Sequence, residues 1–133
     1  DEPLRWMLKD RRAISARSSE EFYLRLVDVP SALNASQYDT EDTIIVEVVD
    51  EFCPWNAGKY LLDTSGGGEV CSPSGQRAEV TLDARELASL YLGGVSAHAL
   101  GRSGLIDDHS GDATARLDRL FSSPVHPWPH LFW

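Results

Sequence analysis

The sequence predicts an α+β fold: a largely antiparallel sheet of about five strands with helices on one face. Three observations predict it. Up to residue 82 the chain carries short runs of β-branched, aromatic and apolar residues with period-two character, bounded by Gly, Pro, Asn and Asp. From Asp83 onward the apolar residues recur at spacings of three and four instead. The connections among the strands are short and hairpin-like, and strands followed by helices is the order expected when helices segregate to one side of a sheet.

The elements follow in order. Residues 3–9 read as a short helical turn, with Pro3 at a first helical position where its missing N–H is no loss. Residues 11–15 read as a short strand. Residues 21–29 (EFYLRLVDV) read as the clearest early strand. On period two, Tyr23, Arg25 and Val27 share one face, and Phe22, Leu24, Leu26 and Asp28 share the other. Residues 30–34 start a short helix. Residues 39–42 are a polar, acidic turn before the strand 43–49 (TIIVEVV). Residues 50–58 are a loop in which Trp55 is expected to plug the core. Residues 58–64 form the next strand, 65–68 its hairpin tip, and 69–72 the returning strand. After a turn at 73–75, residues 76–82 (QRAEVTL) form a further strand.

Asp83 then caps a helix, with Glu86 at capping-box spacing. Leu87, Leu90 and Tyr91 lie on one helical face, and Gly93-Gly94 stops it. Residues 96–102 form a second helix, closed near Gly101 or Gly104. Ser110 opens a third, in which Ala113, Leu117, Leu120 and Phe121 fall at i, i+4, i+7 and i+8. Three prolines, Pro124, Pro127 and Pro129, keep the tail out of regular structure.

A chain of 133 residues fits one domain, residues 1–133. Hydrophobic residues at 42% and charged residues at 25% match a folded globular protein, which excludes intrinsic disorder. No apolar run approaches the ~20 residues of a membrane span, so no membrane partner is expected. Against 12 Lys and Arg stand 21 Asp and Glu, a net charge of −9. Such a chain repels phosphate backbones, so no nucleic-acid partner is expected; cationic partners, amines among them, suit it better. Cys53 and Cys71 are too few for a disulfide framework or a zinc site and read as buried free thiols in a reducing cytoplasm. The opening residues are acidic and lack the apolar core of a signal peptide. Without an initiator Met, the chain reads as a piece of something longer.

No P-loop and no G-x-S-x-G elbow is present. Gly66-Gly67-Gly68 precedes a strand rather than a helix and reads as a hairpin tip. His126 and His130 are four apart, but Pro127 and Pro129 keep them off a helix, so no metal is expected. His98 and His109 read as surface residues. Asp28, Asp50 and Glu51 read as turn formers and caps. Trp128, Phe132 and Trp133 crowd the last six positions. Most termini are frayed and polar, so an aromatic end suggests docking. It either plugs its own domain's core or holds a terminal carboxylate in a defined place.

These residues resemble a known family. Residues 3–8 (PLRWML), 23–33 (YLRLVDVPSAL), 53–60 (CPWNAGKY), 87–94 (LASLYLGG), 115–121 (ARLDRLF) and the Pro127-Trp128 tail carry the resemblance, in order over nearly the whole chain. The chain resembles the C-terminal, sterol-carrier-protein-like (SCP2-like) domain of enhanced intracellular survival (Eis) type acetyltransferases. These are bacterial enzymes of the GNAT superfamily. The resemblance implies an SCP2-like fold and, as partner, two N-terminal GNAT lobes of the parent chain. Those lobes bind acetyl-CoA, so no cofactor is expected in this chain itself. It further implies an amine acceptor as substrate, a homo-oligomeric full-length enzyme and a cytoplasmic location. The isolated chain is expected neither to acetylate nor to bind acetyl-CoA.

The resemblance also implies the site residues. The terminal carboxylate, here on Trp133, serves as general base toward the acceptor amine. The family commonly ends in Phe, whereas this chain ends in Phe132-Trp133. Tyr23, Arg25 and Phe132 are carried over as substrate-binding residues. A terminal carboxyl titrates near ~3.5, and lifting it toward ~7 takes about 4 kcal/mol of desolvation. Burial beside Phe132, Trp133 and a catalytic lobe supplies part of that, and a water-relayed proton needs less. Two other classes compete: a lipid or sterol-type ligand-binding module, and an oligomerisation scaffold. Against the first, the sequence shows no excess of apolar residues to line a tunnel as well as a core.

Overall fold

The computed structural model describes residues 4–15, 23–66 and 68–124. Among them five strands form one sheet: β1 (Thr43–Val49), β2 (Gly58–Asp63), β3 (Cys71–Pro73), β4 (Val80–Asp83) and β5 (Ile106–Asp108), in the order β3-β2-β1-β4-β5. The helices are α1 (Leu4–Met7), α2 (Val29–Ala35), α3 (Ala84–Tyr91), α4 (Ala97–Arg102) and α5 (Ala113–Phe121). β1 pairs antiparallel with β2, β2 with β3, and β4 with β5; β1 and β4 run parallel. The fold is α+β with a mostly antiparallel sheet, as the strand-then-helix order predicts.

β1 organises the core. Ile44, Val46 and Val48 are buried on one face and join a single cluster with Tyr60, Leu62, Val80 and Leu82 from the neighbouring strands. Val29 and Leu33 of α2, Leu87 and Leu90 of α3, Ala97 of α4, and Leu117 and Leu120 of α5 complete it. The helices therefore cover the face that the even-numbered residues of β1 present, because alternate side chains of a strand point to opposite faces. Each large aliphatic side chain so buried contributes about 1.5–3 kcal/mol. Cys53 and Cys71 are free and buried, and burial pushes the Cys71 thiol up to about 12.

The starts of α2, α3 and α4 are capped by side chains. Asp28 accepts the N–H of Ser31 at 2.9 Å, Asp83 that of Arg85 at 2.9 Å, and Ser96 that of Ala99 at 3.1 Å. Gly93 ends α3 at φ +70°, and a Cβ there would lie 2.7 Å from the Ser123 Cβ. Only glycine fits both the backbone and the close approach.

Four expectations are corrected. Residues 11–15 are not a strand: Arg11–Ala13 form a 3₁₀ turn, because the Asp10 carboxylate takes the N–H of Arg12 at 3.0 Å and closes the backbone locally. Residues 23–28 are not in the sheet, although their composition is that of a strand; the backbone and Val29 are claimed by side chains, as described below. Trp55 does not plug the core but is 67% exposed, and the side chain turned inward is Asn56. β4 is shorter than the expected strand, starting only at Val80. The short strand β5 was not foreseen, since its three residues, IDD, carry no apolar alternation.

Candidate functional site

The site starts where β1 stops. Asp50 follows Val49 and is buried, at 4% exposure. Its Oδ1 accepts the N–H groups of Cys53 at 2.8 Å and Phe52 at 3.1 Å, and pairs with the Arg25 guanidinium. Its Oδ2 accepts the Asn56 amide at 3.2 Å. Burial alone would lift the Asp50 carboxyl; the Cys53 N–H, the Asn56 amide, the Arg25 charge and the Phe52 N–H together hold it below the ordinary carboxylate range.

Asn56 lies at the end of a 3₁₀ turn, Pro54–Asn56, and is 1% exposed. A buried amide must find partners on every side. Besides Asp50, Nδ2 donates to the Leu26 carbonyl at 3.0 Å, and Oδ1 accepts the N–H of Val29 at 3.1 Å. Its own carbonyl accepts the Tyr60 hydroxyl at 2.9 Å. Next to it, the Trp55 Nε1–H donates to the Val27 carbonyl at 2.8 Å. The 53–56 turn thus clamps residues 25–29 through side chains. This is why a segment of strand composition stays out of the ladder: its carbonyls at 26 and 27 are already taken, and Asp28 turns the chain into α2.

Outside this buried polar knot lies an aromatic surface. Tyr23, Val27, Phe52 and Trp55 are all exposed, between 66% and 87%. The Arg25 guanidinium lies 4.9 Å from the centre of the Phe52 ring, a cation–π arrangement. Arg25 is therefore already engaged on two sides, by a carboxylate and by a ring.

Of the residues singled out from sequence, Tyr23 and Arg25 fall in this one region, and Phe132 and Trp133 lie outside the described residues, as do His126 and His130. His98 and His109 are exposed. Asp28 is a helix cap. Asp50 is more than the turn former its position suggested, and Asn56 was missed as a site residue. The only sequence signal for them is an Asp directly after an apolar strand, followed by Pro-Trp-Asn. Among the described residues, no three His, Cys, Asp or Glu side chains group to hold a metal, and no helix is long and apolar enough to cross a membrane. A separate open groove of ≈ 490 Å³ lies between Ile45, Leu61, Gln76, Glu79 and His109. Its lining mixes charge with apolar groups and is no apolar tunnel.

Known proteins give this geometry a context. The pattern described as "Sterol carrier protein domain" matches residues 29–129. An uncharacterised N-acetyltransferase of Streptomyces coelicolor is 38% identical over 133 residues, covering 99% of this chain and 32% of that protein. The N-acetyltransferase Eis of Mycobacterium tuberculosis is 31% identical over 128 residues, covering 93% of this chain and 30% of its own length. The crystal structure of an Eis protein of Mycobacterium abscessus superimposes with a TM-score of 0.85 at 32% identity, over 96% of this chain and 32% of that one. The chain thus spans about a third of the length of these relatives and corresponds to their C-terminal, SCP2-like part. The chain belongs to the sterol carrier protein domain family, in the form that Eis-type N-acetyltransferases carry.

Proposed function

We propose that the chain is the C-terminal domain of a cytoplasmic, homo-oligomeric GNAT-type N-acetyltransferase that moves acetyl from acetyl-CoA to an amine. In this reading the parent's N-terminal lobes hold acetyl-CoA. The carboxylate of Trp133 is the general base, and Tyr23, Arg25 and Phe132 border the acceptor pocket. The observation that carries the reading is the similarity over 99% of this chain to an N-acetyltransferase of which it spans only 32%.

The chemistry assigns each group a task. An ammonium must lose a proton to the carboxylate before its lone pair attacks the thioester carbonyl. The C–S bond then breaks, and CoA leaves as a thiolate that is protonated afterwards. Tyr23, 87% exposed, offers an aromatic face to a cationic acceptor. Arg25 does not repel that cation, because Asp50 already balances its charge. Its task is to hold the segment that carries Tyr23.

The test is a Gly-Ser pair appended after Trp133 in the full-length protein. It keeps every side chain and displaces only the terminal carboxylate. Turnover with a panel of amines should fall about 100-fold or more, with acetyl-CoA binding intact. Unchanged turnover would remove the carboxylate from the mechanism and leave a scaffold or ligand-binding module.

A further inference from the structure

We propose that the groove on the face of the sheet opposite α2 to α5 binds a small organic monoanion: a carboxylate carried on a compact apolar body, such as an aromatic ring. This site is independent of what the parent enzyme acetylates and of which group serves as its base.

The apolar part of the groove belongs to the sheet. Ile45 and Leu61 are cross-strand partners of β1 and β2, and Ala78 joins them in the lining. Ile45 is an odd-numbered residue of β1, so its side chain points away from the helix-covered core. At ≈ 490 Å³ the groove has the size of a small-molecule site, and such sites join an apolar lining to a few fixed polar groups. Two polar side chains are fixed here. Glu79 uses both oxygens: Oε1 accepts Arg116 Nη1 at 3.0 Å, and Oε2 accepts the Ile45 N–H at 2.9 Å. Its charge is balanced and does not repel an anion. The His109 Nε2 lies 2.9 Å from Thr81 Oγ1, which is itself 3.2 Å from Glu47 Oε2. A carboxylate only accepts, so the single hydroxyl proton goes to Glu47 and His109 donates through Nε2. The imidazole is thereby held as a side wall before any ligand arrives, which lowers the entropy lost on binding.

Charge selects the occupant. Arg77 lines the groove, is exposed, and meets no carboxylate among the described residues, whereas Arg12, Arg25, Arg85, Arg116 and Arg119 each meet one. The Gln76 amide, also in the lining, is likewise not taken by a described side chain. A guanidinium and an amide are thus left for a ligand, and a planar carboxylate meets a guanidinium through paired N–H bonds. A cation would meet Arg77 and find both Glu79 oxygens occupied. A dianion is disfavoured as well. The Thr43 and Ser110 hydroxyls of the lining donate to Asp63 and Asp108, each at 3.3 Å, which brings two more carboxylates close, and the chain as a whole carries −9.

The test uses the full-length protein with benzoate as the probe, followed by saturation-transfer NMR. Benzoate should bind with a Kd of about 1 mM, the range expected of so small a ligand. Benzamide, of the same shape without the charge, should bind about 10-fold more weakly, and inorganic phosphate should not displace benzoate. Arg77→Gln should weaken benzoate about 10-fold. Arg102→Gln, at an exposed arginine outside the groove, should match wild type. Circular dichroism checks the fold of both variants. Saturating acetyl-CoA should leave benzoate binding unchanged. No binding, equal affinity for benzamide, displacement by phosphate, or unchanged binding in Arg77→Gln would each overturn the proposal. So would displacement by acetyl-CoA, which would move the site to the parent's other lobes. The unaltered protein gives a test without any variant: the Ile45 and Leu61 methyl groups should show nuclear Overhauser contacts to the ring protons of benzoate, and their absence would count against the site in the same way. None of these readouts measures acetylation, so a failed Gly-Ser experiment and a failed benzoate experiment are distinguishable.

Discussion

The two ends of β1 are built alike and serve differently. Asp42 precedes the strand and Asp50 follows it, and each takes an arginine from a distant part of the chain. At the first end, Arg116 of α5 is only 13% exposed. Its Nε meets both Asp42 oxygens at 3.1 Å, Nη2 meets Asp42 at 2.8 Å, and Nη1 meets Glu79 at 3.0 Å. Nη2 also donates to the Thr43 carbonyl. Glu79 in turn accepts the N–H of Ile45 at 2.9 Å. This knot staples the last described helix to the start of β1, and polar groups surround it. At the other end, Arg25 and Asp50 lie beneath exposed aromatic side chains. Equivalent ion pairs thus become a fastener in one place and the floor of an exposed aromatic surface in the other. What lies outside the pair decides which.

The largest expected effect is at the fastener. Arg116→Ala leaves Glu79 without its cation and Asp42 with only Arg119, at 3.9 Å, and should cost about 3 kcal/mol in urea denaturation, while the aromatic surface keeps its structure. Asn56→Ala breaks the floor instead. It strands the Leu26 carbonyl, the Val29 N–H and one Asp50 oxygen, and should cost about 3 kcal/mol. Hydrogen exchange should speed up at residues 26–29 and stay unchanged in α5; uniform exchange would mean that the two ends are one unit. Acid comes next. Asp42 is held low first by its bonds from Arg116, against burial, and Asp50 as described above. For Asp108 burial pulls upward, but the N–H groups of Thr114, Gly111 and Ser110 and the Thr114 hydroxyl hold it down to about 2. Carboxyls depressed in the folded state stabilise it fully above their unfolded value of ~3.9 and lose that contribution as pH falls through the folded values. Urea midpoints should therefore drop from pH 5 to pH 2.5, and less in Asp42→Asn than in wild type. The smallest effect belongs to Trp55→Phe, which deletes only the bond to Val27 and should cost about 1 kcal/mol.

Much of this was legible in the residues. TIIVEVV becomes β1 with the expected bounds, Thr43–Val49, because its apolar run has strand length and strand side chains. Asp83 caps α3 as its position implies, and Gly93 stops it. The site was legible only in part. Tyr23 and Arg25 were placed on one face of a strand that does not form. Asn56 gave no sign of being buried, because asparagine in a turn is ordinarily a surface residue. Trp55 was misplaced for the complementary reason: a tryptophan is ordinarily inside, yet this one needs only its Nε1–H bonded, and Val27 meets that need at the surface.

By itself, then, the sequence determined the period of the central strands and of the helices after residue 83, most helix ends, the acidic balance and the family. All of these depend on residue order and on neighbours a few positions apart. Only the tertiary structure decided that residues 23–28 remain outside the sheet, which side chain of the Trp-Asn pair turns inward, and which arginine each end of β1 takes. Those outcomes depend on competition for backbone hydrogen bonds and for charge between groups far apart in the chain. Asn56 reaches back 27 residues to Val29 and 30 to Leu26, and Arg116 reaches 74 to Asp42. A period-two pattern says which way side chains face, but the winner of each buried hydrogen bond is settled only when the packed core removes water as an alternative partner.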